Sequence, residues 1–322
     1  MLKATVVFSL VCVLTIGCSS ERGSMDDRLD TARFNGEWVL DAVDGDHEPM
    51  SLEITGAGTD VLAGFLTGAA GGRTQPFLES EIVDGELRFM VERTFDGGRK
   101  VRADTTARIV GEGLRGSTTR NGRTWEWIGR RPDVIEDHDD GSWRDGDPVV
   151  LFGRDSHLSL WRDFDEGKDG EWSATDGVLH NVGSANTLAT RETFWNFRLH
   201  VEYRLQENGN SGIGLRGRYE VQLYDDHEKP PGIHGNGALY SRITPQVNAT
   251  KAPGEWQAFD ITFIGRDLTV VLNGETLIDK GRVDGLTAMA IDSRESTPGP
   301  ILLQGDHGPV EFRNIVITPL RQ

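Results

Sequence analysis

The sequence predicts an all-β protein, and three observations carry that prediction. Forty glycines among 322 residues, many in Asn-Gly or Asp-Gly pairs, favour tight turns over long helices. Apolar and polar residues alternate over short runs, the period of a half-buried strand, and no stretch sustains a helical period. The runs recur at regular spacing with turn residues between them, as in small barrels and sandwiches.

In chain order, the first element is "MLKATVVFSLVCVLTIGC": Lys3, then an apolar run from Ala4 to Ile16. The run is too short to span a bilayer and fits a signal peptide over residues 1–17. Its end, "TIGC", resembles a bacterial lipobox, although Thr15 stands where Leu is more usual. The resemblance implies cleavage before Cys18 and acylation of its thiol, which would make the protein lipid-anchored. A plain secretory signal with an incidental cysteine is the alternative. Ser19 and Ser20 follow Cys18, and by resemblance to the sorting rules of Gram-negative bacteria the absence of Asp there favours the outer membrane. The expected location is therefore the bacterial cell envelope, at the outer membrane or in the periplasm. Cys12, the other cysteine, would leave with the signal, so the mature chain would have neither a disulfide nor a catalytic thiol. Residues 18–32 are polar and read as a tether.

Residues 33–131 hold short strand patterns such as "EWVLDAV", "ELRFMVERTF" and "TWEWIGRR", separated by "VDGE", "DGGRK" and "RNGR". They predict a small antiparallel barrel or sandwich. "NGEW" and "GRR" resemble the ends of lipocalin-like domains. Trp38, Trp125 and Trp127 read as core rather than as a ligand site. Residues 132–148, "PDVIEDHDDGSWRDGDP", are acidic and rich in turn formers, and read as a solvated linker. Asp133, Asp137, Asp139 and Asp140 lack the calcium-loop spacing. A second β unit, residues 149–322, is expected to fold alone and to carry any activity.

That second unit contains "LFGRDSHLSLW", "WSATDGVLHNVG", "LATRETFWNFRLHVEYRL", "NSGIGLRGRYEVQLYDD", "FDITFIGRDLTVVLNGETLID" and "GPILLQGDHGPVEFRNIVITPL". In order and content these resemble the 3-keto-disaccharide hydrolase family, also described as 3-keto-glucoside 1,2-lyase/3-keto-2-hydroxy-glucal hydratase. The resemblance implies a concanavalin-like β-sandwich, or jelly roll, acting on glucosides already oxidised at C3. It includes the "GDHG" position of His307 and does not extend to the first unit.

The alternation agrees with such a fold. Phe259, Ile261 and Phe263, then Leu268, Val270 and Leu272, share one face, and Asn273-Gly274 predicts a hairpin. Leu199, Val201, Tyr203 and Leu205 alternate with His200, Glu202 and Arg204. In "VEFRNIVI" the alternation slips between Phe312 and Ile315, which predicts a bulge. In "NSGIGLRGRYEVQLYDD" the aliphatic residues face the core and place Arg216, Glu220 and Gln222 on the opposite face.

Such a face is ordinarily wet. Here Arg204, Arg216, Glu220, Gln222 and Gln304 bring guanidinium, carboxyl and amide groups together with few lysines. Planar, two-sided hydrogen-bonding groups of this kind suit sugar hydroxyls. Cross-strand ion pairing is the bland alternative, and the two are compatible.

Elimination from a 3-keto-glucoside needs a base at C2, donors for the enolate oxygen and an acid for the leaving group. By residue type His307 or Glu220 suits the base, Arg216 or Arg204 the enolate, and Asp225 or Tyr240 the leaving group. Glu202, Arg204, Asn210, Gln222, Tyr240 and Gln304 are the candidate substrate-binding residues. Glu202 and Glu220 would be the pair for ordinary glycoside hydrolysis, which the resemblance disfavours. Asp225, Asp226, His227 and His234 keep a divalent metal open without matching a ligand spacing, and no other cofactor is implied.

A formal charge of −17 disfavours nucleic acid and anionic membrane surfaces as partners and is compatible with a neutral oligosaccharide or glycoside. A non-catalytic carbohydrate-binding lipoprotein is the second reading, because the fold class hosts both enzymes and binders.

Overall fold

A computed structural model of the chain describes residues 30–45, 47–70, 72–154, 158–164, 171–181 and 183–322. The signal peptide, Cys18 and most of the tether lie outside the described residues. Among the described residues no helix is long and apolar enough to cross a membrane. The protein is nearly all β and folds around two apolar cores.

The first core lies inside a nine-stranded antiparallel sheet that runs from Gly36–Ala42 to Arg123–Arg130. Chain neighbours are sheet neighbours, except that Gly36–Ala42 pairs with Arg123–Arg130 and the consecutive strands Thr74–Pro76 and Glu79–Val83 are the two edges. Phe77 donates its N–H to Gly64 O at 2.9 Å and Leu78 donates to Met90 O at 2.9 Å, so the segment between the two edge strands ties them together. Inside lie Leu40, Leu52, Leu66, Phe89 and the three tryptophans Trp38, Trp125 and Trp127. The Trp38 ring N–H reaches Phe34 O at 2.8 Å and that of Trp127 reaches Thr118 Oγ1 at 3.0 Å, which removes the cost of burying them.

The second core is a sandwich. A larger sheet includes Phe197–Leu205, Gln257–Ile264, Asp267–Leu272, Glu275–Arg282 and Val310–Arg321. A smaller one runs in spatial order Trp161–Asp163, Leu188–Thr190, Leu302–Leu303, Asn210–Leu215 and Tyr219–Tyr224. Every pairing is antiparallel, and the architecture is of the jelly-roll kind. Leu199, Val201, Tyr203, Phe259, Ile261 and Phe263 face Ile213, Leu215, Val221 and Leu223 across it. Phe263 meets the Tyr219 ring edge-on at 5.4 Å.

Local features follow the sequence. Asn273 and Gly274, at φ 55° and 89°, make a two-residue hairpin between Asp267–Leu272 and Glu275–Arg282, a turn that only residues tolerant of positive φ can form. The slip at Phe312–Ile315 is a bulge: Val316 lies opposite His200 but Arg313 opposite Glu202, with Asn314 at φ 48°.

Residues 132–148 differ from the solvated linker that their composition suggests. Asp137 Oδ2 accepts from Trp195 Nε1 at 2.7 Å and from Asn196 Nδ2 at 2.8 Å. Asp139 N–H donates to Asp267 Oδ2 at 2.8 Å, Asp133 O accepts from Arg266 at 3.1 Å, and Arg144 and Asp145 pair with the Val310–Arg321 strand. The acidic side chains and main chain thus satisfy donors on the sandwich. The first sheet also meets it directly. Val39 belongs to the sandwich core, Leu286 N–H donates to Ser51 Oγ at 2.8 Å, and Arg242 reaches Thr67 Oγ1 at 2.9 Å.

Gly265 shows how tightly the linker is pinned. Its φ is +55°, and a Cβ there would lie 1.8 Å from Asp137 O. Gly265→Ala is expected to destabilise the protein by roughly 2–3 kcal/mol in urea unfolding, through strain and displacement of the linker. Gly274→Ala, also at positive φ but with nothing within 4 Å, is expected to cost about 1 kcal/mol.

Candidate active site

The site grows from one hairpin, Asn210–Leu215 with Tyr219–Tyr224. Period-two geometry turns Ile213, Leu215, Tyr219, Val221 and Leu223 into the core, and Asn210, Gly212, Gly214, Glu220, Gln222 and Tyr224 to the other face. Gly212 and Gly214 keep that face shallow: a Cβ on Gly212 would lie 2.5 Å from Glu220 Oε1, so the Glu220 side chain lies across a bare backbone. Gln222 Nε2 donates to Asn210 Oδ1 at 2.8 Å.

Next to this hairpin, Leu302–Leu303 leads into Gln304, Asp306 and His307. Gln304 N–H bonds Gly212 O at 3.0 Å, and Ser211 Oγ donates to Gln304 O at 2.8 Å, which fixes that loop to the floor. Residues 225–250 form a further wall, held by Asp226. Its Oδ2 accepts from Asn236 N–H at 2.9 Å and its Oδ1 from Thr250 Oγ1 at 2.7 Å and Asn248 Nδ2 at 3.2 Å. This wall presents His234 and Tyr240, whose rings stand 4.8 Å apart. Together these groups line a cavity of about 620 Å³ with Tyr224, Met289 and, from the first sheet, Glu48, Arg73 and Arg93. The volume suits a ligand of one or two sugar rings.

The electrostatics are uneven. Glu220 is buried, and burial pushes its carboxyl group up to about 7; the charge of Asp306 adds to the rise and that of His307 opposes it. His307 Nδ1 lies 2.6 Å from Asp306 Oδ1, and its side chain is exposed. His234 is pushed down to about 4, first by burial and then by the charges of Arg73 and Arg93. Its Nε2 lies 2.8 Å from Ser241 Oγ. A carboxyl group poised near neutrality, a histidine–aspartate pair and amide donors around one cavity can move a proton and hold hydroxyl groups.

Of the ten residues that the sequence suggests, six line this cavity: Glu220, His307, Asn210, Gln222, Tyr240 and Gln304. The other four lie elsewhere. Arg216 does not share the face of Glu220; at φ 51° in the turn between the strands, it is fully buried. Its guanidinium donates to Trp195 O, Gly265 O and Asn196 Oδ1 at 2.7, 2.7 and 3.2 Å, between the rings of Trp195 and Phe263. The turn breaks the alternation that placed it on the polar face. Glu202 and Arg204 are on the outer side of the larger sheet, where cross-strand pairing explains both: Arg313 Nε reaches Glu202 at 2.6 Å, and Arg204 pairs with Glu311. Asp225 is a turn acceptor, taking the Asn208 N–H at 2.8 Å.

Among the described residues no group of three or more His, Cys, Asp and Glu gathers as a metal site. Asp226 and His227 instead bond within their own loop, His227 Nδ1 lying 2.9 Å from Thr250 O.

Asp306, Tyr224, Glu48, Arg73 and Arg93 were not singled out from the sequence. Asp306 and Tyr224 adjoin residues that were, and alternation alone would have added Tyr224. The first-sheet groups are remote in sequence, and their only clue is the glycine-rich approach "GAAGGR". Gly72, at φ +84°, lets this turn come within 3.5 Å of Ala288 by the position of an added Cβ. A second cavity, of about 410 Å³, lies between the two units beside Trp38, Arg242 and Ile243, and among the described residues no histidine lines it.

A sandwich with this polar, glycine-floored cavity has the form of a small-ligand site rich in groups that hydrogen-bond hydroxyls. The profile of the 3-keto-alpha-glucoside-1,2-lyase-like domain matches residues 147–318, and the chain belongs to that family. Among solved structures, two candidate glycosyl hydrolases from Parabacteroides distasonis are each 27% identical to it. The first aligns over 58% of this chain and 92% of its own, and the second over 54% and 100%, each with a TM-score of 0.43. No curated protein matches the chain.

Burial of Glu220 ties the site to stability. Its folded-state value of about 7 lies above the ordinary 4.5, so the native state keeps its proton while the unfolded chain loses it. Stability from this group is present below pH 4.5 and is lost as the pH rises through about 7. Relative to Glu220→Gln, wild type is expected to lose roughly 3 kcal/mol between those limits, read by urea unfolding at several pH values. Parallel profiles would contradict the assignment.

Proposed function

We propose that this cavity binds a glycoside already oxidised at C3 and cleaves it by elimination followed by hydration, a net hydrolysis. The observation that carries the reading is Glu220: a buried carboxyl group brought to about 7, in a cavity with a histidine–aspartate pair. The ketone at C3 acidifies the C2 proton, and a base matched to neutral pH removes it. Glu220 takes that proton, and the electron pair forms the enolate. Amide donors of Gln304 and Asn210 hold the C3 oxygen and ring hydroxyls. As the enolate collapses, the C1–oxygen bond breaks, and His307, oriented by Asp306, gives a proton to the departing oxygen. Water then adds at C1 of the 2-hydroxy-3-keto-glucal and gives a proton to His307, which restores the acid; Glu220, its carboxyl proton exchanged with solvent, protonates C2, and the 3-keto sugar is released. Tyr224 and Tyr240 border the ring.

Unoxidised disaccharides are expected to be inert and 3-keto-disaccharides to turn over. In deuterated water the product should carry deuterium at C2 beyond its own exchange, and kcat/KM should rise with pH through about 7. Glu220→Gln should slow the reaction about a hundredfold or more. Binding without turnover would favour a carbohydrate-binding protein instead.

We further propose that the mature protein is anchored in the bacterial envelope through acylated Cys18, on the strength of "TIGC" closing a short apolar run. Mass spectrometry of the mature N-terminus should find a lipid-modified cysteine, and a soluble product cleaved elsewhere would contradict this.

A further inference from the structure

Among the described residues lining the 620 Å³ cavity, the sandwich contributes carboxyl, amide, imidazole and phenol groups but no arginine or lysine. The guanidinium groups there are Arg73 and Arg93, both carried by the first sheet, outside the region matched by the family profile. Both are held in place by neighbouring side chains. Arg73 Nε donates to Tyr240 Oη at 3.2 Å, and the Arg93 guanidinium lies 4.1 Å over the Phe95 ring. They stand at one end of the cavity: Arg73 bonds Tyr240, whose ring lies 4.8 Å from that of His234, and after burial it is the charges of Arg73 and Arg93 that push His234 down, while after burial Glu220 feels His307 and Asp306. The cavity therefore has a proton-transfer end and a guanidinium end.

Neutral hydroxyls are already served by Asn210, Gln222 and Gln304, so two guanidinium groups exceed what a neutral sugar needs. Glu48 on the same wall offsets one positive charge, and Asp306 faces His307. Among the described residues lining the guanidinium end, Arg73 and Arg93 outnumber Glu48 by one formal positive charge.

We propose that Arg73 and Arg93 read a carboxylate on the substrate, and that the ligand class is an acidic glycoside containing one uronic acid residue. A carboxylate matches the planar guanidinium fork, which can bind both of its oxygens. The overall charge of −17 keeps polyanions away and leaves a singly charged sugar as the fitting ligand. The proposal rests on reading the cavity as a glycoside site, and it turns the first β unit into a specificity wall.

The test is calorimetric binding to the full chain, without turnover. The probes are an unoxidised glucose disaccharide and its counterpart with one glucuronate in place of glucose. Wild type is expected to prefer the glucuronate disaccharide at least about tenfold at low salt, with the gap narrowing at high salt. Arg73→Gln and Arg93→Gln, each alone, should weaken that probe about tenfold to a hundredfold and the neutral one at least about fivefold less. Arg73→Lys and Arg93→Lys keep the charge and should retain part of the preference, with thermal unfolding confirming the fold of each variant. Equal binding of the two probes, binding of neither, a preference that survives either Gln variant, or equal weakening of both probes would overturn the proposal. Because no 3-keto sugar is used, failure here is separate from failure of the elimination chemistry, which turnover alone decides.

Discussion

The site depends on one constraint: a carboxyl group sits on the open side of a sheet yet is closed off from water. Glu220 is 4% exposed although its strand neighbours Val221 and Tyr219 point the opposite way into the core. Polar positions on such a face are normally solvated. Here the loop carrying Tyr240, whose N–H bonds Glu220 O at 2.9 Å, and the strand end carrying His307 border it, and burial among them desolvates the carboxyl group. Without that burial the group would titrate near its ordinary value and lose its match to proton transfer at neutral pH.

The enclosure is secured by polar contacts as much as by apolar packing. Asp226 holds the long loop by accepting from main chain and side chains at once, and Asp137 does the same for the linker against Trp195 and Asn196. Arg216 belongs to this system. Its three acceptors all lie on the strand ends and turns that the linker crosses. Leaving a buried guanidinium without those acceptors would cost more than an ordinary surface bond is worth. Residues that resemble catalytic groups in the sequence are thus shared between chemistry and architecture, and burial with full hydrogen bonding marks the architectural ones.

Much of the fold could be read from local pattern. The alternation in Phe259–Phe263 and Leu268–Leu272, the Asn273-Gly274 turn and the bulge at Asn314 are properties of a few consecutive residues, and each appears where the pattern put it. The candidate site was readable on the strand of Glu220 and Gln222 for the same reason. It was misread where pattern lacks information. Alternation says which residues share a face but not which of two sheets supplies it, so Glu202 and Arg204 were grouped with groups on the other side of the sandwich. A turn ends the period, so Arg216 was assigned a face that it does not have. Arg73 and Arg93 come from a separate sheet, and only the docking of the two units brings them to the cavity.

The glycines under Glu220 carry a further consequence. Gly212 and Gly214 enlarge the cavity by what they lack: an added Cβ would meet the Glu220 carboxylate in one case, and Leu302 and Met289 at 2.8 Å in the other. Their replacement by any other amino acid takes space from the ligand and moves the acid at the same time. The range of ligands is therefore easily narrowed by a single codon change and hard to widen at these two positions, because nothing smaller than hydrogen remains to be exchanged. Divergence among descendants of this chain would proceed through the overhanging loops, where substitutions alter what is admitted without disturbing the floor.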